Sequence, residues 1–579
     1  MEKLILTLLI GFSSFCTLGQ VGIGTTNPEG ALDIVSSSTG LVVPRVTSID
    51  TVTDGSGNAA VDGTIVYDLS KKKLCYRIDG SWICIGKDSS GNAILDVSNP
   101  VFTSLSNYIK ASNTGSDDLF GYRVSLSGDG TRMAVAANLE DSNATGINGN
   151  ESNNSRTDSG AVYIFLRTGT VWTQEAYIKA SNAGVNDFFG SSISLSGDGT
   201  RLAVGSSEED SNATGIGGDQ TNNTASNSGA VYVFSRSGTT WTQETYLKAS
   251  NTDSNDEFGF SVSLNSDGSR LAVGAPKEQS DATGINGNEA SNLGNLSGAV
   301  YVFSRSGSTW TQETYIKASN TDPNDRFGQS VSLSADASRL AVSAPLESSN
   351  TSGINGEQNN NLRGNSGAVY IFSRTGTSWL QEVYIKSSNP GGTDTFGEAL
   401  SLSGDGKHLV VGSEDEDSNT TGINPNSNNA AAASGAVYVF SRVGTIWTQD
   451  AFIKQSNTET LDRFGRSVSL NYNGTRLAVG ARLEDSDAIN VGGNQANNLA
   501  SDSGAVYIFV RCGDVWVQEA YVKASNTESN DQFGFYVSLS ADGLILATSA
   551  NLEDSNATGI GGDETNNSAS NSGAVFIVE

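Results

Sequence analysis

The residues of this chain that could do chemistry are carboxylates set at a fixed interval. An aspartate stands two residues before each of seven Phe-Gly pairs: Asp118, Asp187, Asp256, Asp325, Asp394, Asp462 and Asp531. Downstream of each, a glutamate opens a polar stretch: Glu140, Glu209, Glu278, Glu347, Glu416, Glu484 and Glu553. In "EDSNATGINGN", Glu140–Asn150, oxygen donors alternate (Asp141, Asn143, Thr145) before Gly146. The pattern returns as Asp210, Asn212 and Thr214, as Asp417 and Asn419, as Asp485 and Asp487, and as Asp554 and Asn556. Hard oxygen donors followed by a glycine are how a calcium loop begins. The bidentate glutamate that would finish such a loop is missing, because Ser152 stands at the twelfth position. Ca2+ is therefore the one cofactor the sequence raises. The same residue types also close Asx and Ser/Thr turns on their own backbone, and the sequence leaves both readings open.

Other chemistries have thinner support. The single histidine, His408, takes a hairpin position where five other copies have arginine. No G-x-S-x-G elbow accompanies it, and beyond residues 1–19 Cys512 is the one cysteine outside an evident pair. Zinc lacks ligands. A tryptophan recurs at one place per copy (Trp172, Trp241, Trp310, Trp379, Trp447, Trp516), suited to packing between sheets or to stacking on sugar rings. Catalysis needs a few groups made different from their neighbours, whereas nearly every polar feature here is repeated. The expectation is a binding protein, not an enzyme.

The spacing reveals the elements that must hold these groups. Phe-Gly recurs at 120, 189, 258, 327, 396, 464 and 533, which makes seven copies. Each contains four strand-like runs. In the third copy they are Phe260–Asn265, Arg270–Ala275, Gly298–Arg305 and Trp310–Ser319. A four-stranded antiparallel sheet cannot bury both faces alone, but seven packed radially can. The array opens at "NYIKASN", Asn107–Asn113, a fourth strand without its first three. It closes on "SGAVFIVE", Ser572–Glu579, a third strand without its fourth. The pieces complete one another. The expected fold is all-β: a seven-bladed β-propeller of four-stranded antiparallel blades over 106–579, its ring closed by the N-terminal strand. In such a ring the Asp and Glu positions fall on the long-loop face. The hairpin arginines (Arg132, Arg201, Arg270, Arg339, Arg476) fall on the other, so a disc with one acidic and one basic face is expected.

Residues 1–19 read as a signal peptide: a charged start at Lys3, an apolar run Leu4–Phe12, small residues near Gly19. That run is too short for a membrane span, and no later stretch supplies one. Residues 20–87 read as a small β-rich module and 88–105 as a linker. Within the module, Cys75 and Cys84 flank an Asp79-Gly80 turn. Paired across it, they make a staple suited to an oxidising compartment. A net charge of −29 excludes a nucleic-acid footprint and repels anionic lipid.

The Phe-Gly pairs, with Gly274-Ala275-Pro276, resemble the FG-GAP repeats of integrin α-subunit propellers. The resemblance implies a seven-bladed propeller outside the cell that works by binding or adhesion. The calcium loop that integrin-type repeats often carry in the first hairpin is not matched, since "LSGDGTR" and "LNSDGSR" offer one aspartate each (Asp129, Asp198, Asp267). "VGIGTTNPEGALDIV", "GLVVPRV" and "GTIVYDLSKKKLCYRIDGSWICIG" are similar to a module at the start of secreted Bacteroidetes proteins and to phage tail-fibre-like segments. That implies attachment or oligomerisation through the N-terminal module. The expected partner is an extracellular protein or glycan, met at the surface of a bacterium or in its surroundings. The alternatives are a carbohydrate-binding or carbohydrate-active propeller and a passive structural surface component.

Overall fold

The computed structural model describes residues 102–513 and 515–579 continuously, together with 21–23, 32–34, 43–53, 59–61, 63–69, 73–78, 81–87 and 93–97. The leader reading, 1–19, lies outside the described residues. The protein divides into two units, Met1–Ser98 and Asn99–Glu579.

In the first unit, strands Arg45–Val46, Ile65–Asp68, Lys73–Ile78, Ser81–Lys87 and Ala93–Val97 form one sheet in that order. Cys75 stands directly opposite Cys84 and is joined to it by a disulfide. Both are buried with Ile49, Val66 and Trp82. Of the stretch expected as a linker, 88–105, the described residues include strand and core. "AILDV", Ala93–Val97, pairs with Ser81–Lys87 and belongs to this sheet. Phe102 is fully buried in the second unit's core. The alternation of apolar residues in that short run was the signal for a strand.

The second unit consists of seven antiparallel sheets built alike. In the third, Ser261–Leu264, Arg270–Ala275, Ala299–Ser306 and Thr309–Ile316 pair in sequence order. Arg270–Ala275 and Ala299–Ser306 are apolar on both faces because a neighbouring sheet covers each side. The seventh sheet takes three strands from the end of the sequence and its fourth, Leu105–Ile109, from the start, with Phe576 opposite Tyr108.

A hydrogen bond marks every junction between blades. The amide of one first-strand leucine donates to a serine hydroxyl on the preceding blade's first strand: Leu195 to Ser125, Leu264 to Ser194, Leu333 to Ser263, Leu402 to Ser332, Leu470 to Ser401, Leu539 to Ser469 and Leu126 to Ser538. The seventh bond returns to the first blade, so the sheets run in a ring.

The repeated "SGA" follows from another junction. Gly298 has φ +79°, and a Cβ there would lie 2.1 Å from the carbonyl oxygen of Phe327 in the next blade. Gly307, φ +62°, has open space around it. In urea unfolding, Gly307→Ala is expected to cost about 1–2 kcal/mol for the left-handed backbone alone. Gly298→Ala is expected to cost clearly more, because the blades must also part. Equal costs would mean that the junction yields freely.

Candidate functional site

The repeated carboxylates serve the ring itself. Glu278 is fully buried. Its Oε1 accepts from Tyr315 Oη (2.9 Å) and from Asn251 Nδ2 of the preceding blade (2.9 Å). Its Oε2 accepts from Lys317 Nζ at 2.8 Å, which also donates to Ser297 Oγ at 2.7 Å. Every blade has such a buried Lys–Glu pair, and at the ring's closure Lys110 meets Glu553. Burial pushes these lysines down and the paired glutamate opposes it. The lysine of "YIKAS" is the functional residue that sequence reasoning missed. Its signal was present: a lone cation repeated at the end of an apolar strand, as constant as the glutamate.

The expected acidic and basic faces are therefore not formed by these residues. All seven glutamates are buried and neutralised. The hairpin arginines are partly buried against glutamates of their own fourth strands, as in Arg132–Glu175 and Arg270–Glu313, each at 3.2 Å. These charges pair within their own blades, and their carboxylates also accept from a neighbouring blade, as Glu278 does from Asn251 and Glu175 from Trp241.

The aspartates before Phe-Gly are buried too. Asp256 Oδ2 accepts from the Asp253 amide. Desolvation first, then the Glu278 charge, pushes its carboxyl up to about 8. Asp118 and Asp187 are pushed up to about 7, with desolvation again the main cause.

The candidate calcium ligands have a second occupation. Asp141, Asp210, Asp417, Asp485 and Asp554 each accept, through Oδ1, a backbone amide from the far side of their own loop: Asp158, Asn227, Ala433, Asp502 and Asn571. The amides of Asn212, Asp487 and Asn556 donate to asparagine side chains across the loop. Asn143 donates its amide to the Asn153 carbonyl, and Asn428 donates to Asn419 Oδ1. Thr145 and Thr214 lie in the same loops. Among the described residues no three His, Cys, Asp or Glu side chains gather as a metal set.

The tryptophans are buried at 2–6% exposure, so they offer no sugar platform. Trp241, Trp310, Trp379 and Trp447 donate to a glutamate of the preceding blade. Trp172 Nε1 and Trp516 Nε1 have no partner among the described residues. The residue in the glutamate's place is Ser106 for one and Asp450 for the other, both too short. His408 Nε2 accepts from Arg511 Nη1 at 3.0 Å, a contact between neighbouring blades.

Sevenfold repetition breaks on the axis. The residue after Phe-Gly is Tyr122, Ser191, Phe260, Gln329, Glu398, Arg466 and Phe535 in turn. First-strand residues from all seven blades ring a cavity of about 180 Å3. The start of the first strand lies beside the end of the antiparallel second, which feeds the long loop. The cavity is therefore at the long-loop end of the ring. One wall is aromatic: the Tyr122 and Phe535 rings are 5.7 Å apart, and the Arg123 guanidinium lies 4.4 Å from Tyr122 and 5.3 Å from Tyr536. The opposite wall is charged. Arg466 lies 3.5 Å from Glu398 and 3.9 Å from Glu414, and Gln329 Nε2 is 3.5 Å from Glu398.

Seven blades, six of four strands and the fifth with a short extra strand at Gly422–Ile423, in a ring around an axial cavity define a β-propeller. An FG-GAP repeat model matches residues 172–234, 241–303, 310–372, 447–509 and 516–578, more than half of the sequence, and the protein belongs to the FG-GAP repeat family. Residues 22–100 match a phage tail like trimerisation region. No curated protein matches the sequence. Similar solved structures include a candidate 6-phosphogluconolactonase from Bacteroides uniformis (10% identity, TM-score 0.40, covering 77% of this chain and 92% of that one). Another is the Cps50 (Swd1) β-propeller domain of Myceliophteria thermophila (10% identity, TM-score 0.43, covering 81% and 98%).

Proposed function

We propose that this is a secreted or surface-exposed bacterial binding and adhesion protein. Its N-terminal region assembles three copies, and each propeller offers its long-loop end to an extracellular protein without catalysing a reaction. The observation that carries this reading is the axial cavity. There, in a ring otherwise repeated sevenfold, the residue after Phe-Gly takes six identities over seven blades, with phenylalanine alone recurring (Phe260, Phe535). The Cys75–Cys84 disulfide supports an oxidising compartment. The trimerisation match supports multivalency, which multiplies weak single contacts. The carbohydrate alternative loses its tryptophans to burial. A 180 Å3 cavity is also small beside the ~300–1,000 Å3 of ordinary ligand pockets.

The test is an array of extracellular proteins and glycans probed with the full mature protein, after its mass in solution is measured by sedimentation equilibrium. A mass three times that of one protomer and retention on proteins are expected. Retention on glycans alone would favour the carbohydrate reading. A blank array would end the binding proposal. Repeating the assay in EDTA decides whether a cation assists.

A further inference from the structure

The two walls of the axial cavity are unequal in what they still lack. Arg466 is shared between Glu398 and Glu414, and Glu398 also accepts from Gln329. Arg123 has no such partner. Its hydrogen bond goes to the Tyr122 carbonyl at 3.0 Å, and no carboxylate among the described residues lies within ion-pair distance of it. It is held instead by the faces of Tyr122 and Tyr536. A guanidinium stacked on aromatic rings keeps its planar edge free to receive two acceptor oxygens. Across the cavity, Gln329 Oε1 is buried without a hydrogen-bond donor among the described residues. A buried polar atom left unpaired in a native fold calls for a water or a ligand. The charged groups lining the cavity are Arg123, Arg466 and Glu398, a positive balance inside a protein of net charge −29. The space takes the tip of one side chain or one polypeptide terminus, not an oligosaccharide.

We propose that the axial cavity binds the carboxylate of a polypeptide, received edge-on by Arg123 between Tyr122 and Tyr536, with an N–H of the same ligand donating to Gln329 Oε1. The site rests on the binding role proposed above and names the chemistry it recognises. The carboxylate has two sources, an acidic side chain and a free carboxyl terminus.

Calorimetric titration of the full-length protein with three short peptides tests it: acetyl-Gly-Asp-Gly-amide, acetyl-Gly-Gly-Gly with a free carboxyl end, and acetyl-Gly-Asn-Gly-amide. At least one carboxylated peptide is expected to bind tenfold or more tightly than the asparagine peptide. Which of the two binds identifies the source. Arg123→Gln is expected to abolish the preference, and Arg123→Lys to restore only part of it, since an ammonium neither forks nor stacks as well. Thermal unfolding confirms that each variant is folded. Should Arg123→Gln fail to fold, Gln329→Leu, on the other wall, is expected to weaken binding at least threefold. Equal binding of all three peptides, or a preference that survives in both variants, overturns the proposal. A protein hit on the array that persists in Arg123→Gln would place the ligand elsewhere while leaving the adhesive role intact. A blank array would strike the role itself.

Discussion

Lys317→Met is expected to destabilise the propeller by about 3–5 kcal/mol in urea unfolding. The lysine is fully buried, and its ammonium is the only cation among the described residues within hydrogen-bond reach of the equally buried Glu278 carboxylate. Methionine fills the space but leaves a charge in a low-dielectric interior and orphans the Ser297 hydroxyl. Replacing both partners, Lys317→Met with Glu278→Leu, is expected to recover most of the loss, because two apolar groups of similar volume need no desolvated partner. A single substitution costing under ~1 kcal/mol would show that water reaches the pair. Lys110→Met is the same chemistry at the ring's closure. Its loss is expected to appear first as faster hydrogen exchange in Leu105–Ile109.

The melting temperature is expected to rise as pH falls from 8 to 5. Asp256, Asp325, Asp462 and Asp531 are held up to about 8, and Asp118, Asp187 and Asp394 to about 7, with desolvation as the chief cause in each. In the unfolded state an aspartate titrates near ~3.9. Between that value and 7–8 the folded state holds more protons, so stability falls as pH rises through the window. Asp256 faces Glu278, Asp253 and Lys317. Its Oδ1 has no partner among the described residues, while Oδ2 takes the Asp253 amide. Asp256→Asn keeps an acceptor for that amide and removes the charge. It is expected to raise the melting temperature at pH 8, leave it nearly unchanged at pH 5, and flatten the slope. The buried lysines, depressed by burial, act in the opposite sense on the alkaline side, and the comparison with Asp256→Asn separates the two. A melting temperature that falls steadily from pH 8 to pH 5 would mean these aspartates are ionised in the fold.

The strands were legible because alternation and Asp-Gly turns are local. Arg270–Ala275 was read to the residue, and the closing strand followed from matching the two ends of the array. The partners of charges were not legible. Glu278 meets Lys317 only because a long loop and a fourth strand end at the same height, and its third donor, Asn251, comes from the blade before. Reading Glu278 without Lys317 produced an acidic face that the structure does not form. The cavity was hidden for the opposite reason. Its residues follow the most regular motif in the sequence, and their variation reads as drift until seven of them are placed around one axis.

The joint between Leu105–Ile109 and Ala574–Val578 also has a mechanical consequence. In the role proposed above, with the N-terminal region joining copies and the blades holding a ligand, tension enters the ring at Leu105. The seam is held by the strand pairing, by Lys110 and Tyr108 on Glu553, and by backbone hydrogen bonds such as Lys110 to the Gly559 carbonyl. A pull at Leu105 therefore loads the one blade whose strands come from both ends of the sequence before it loads any other.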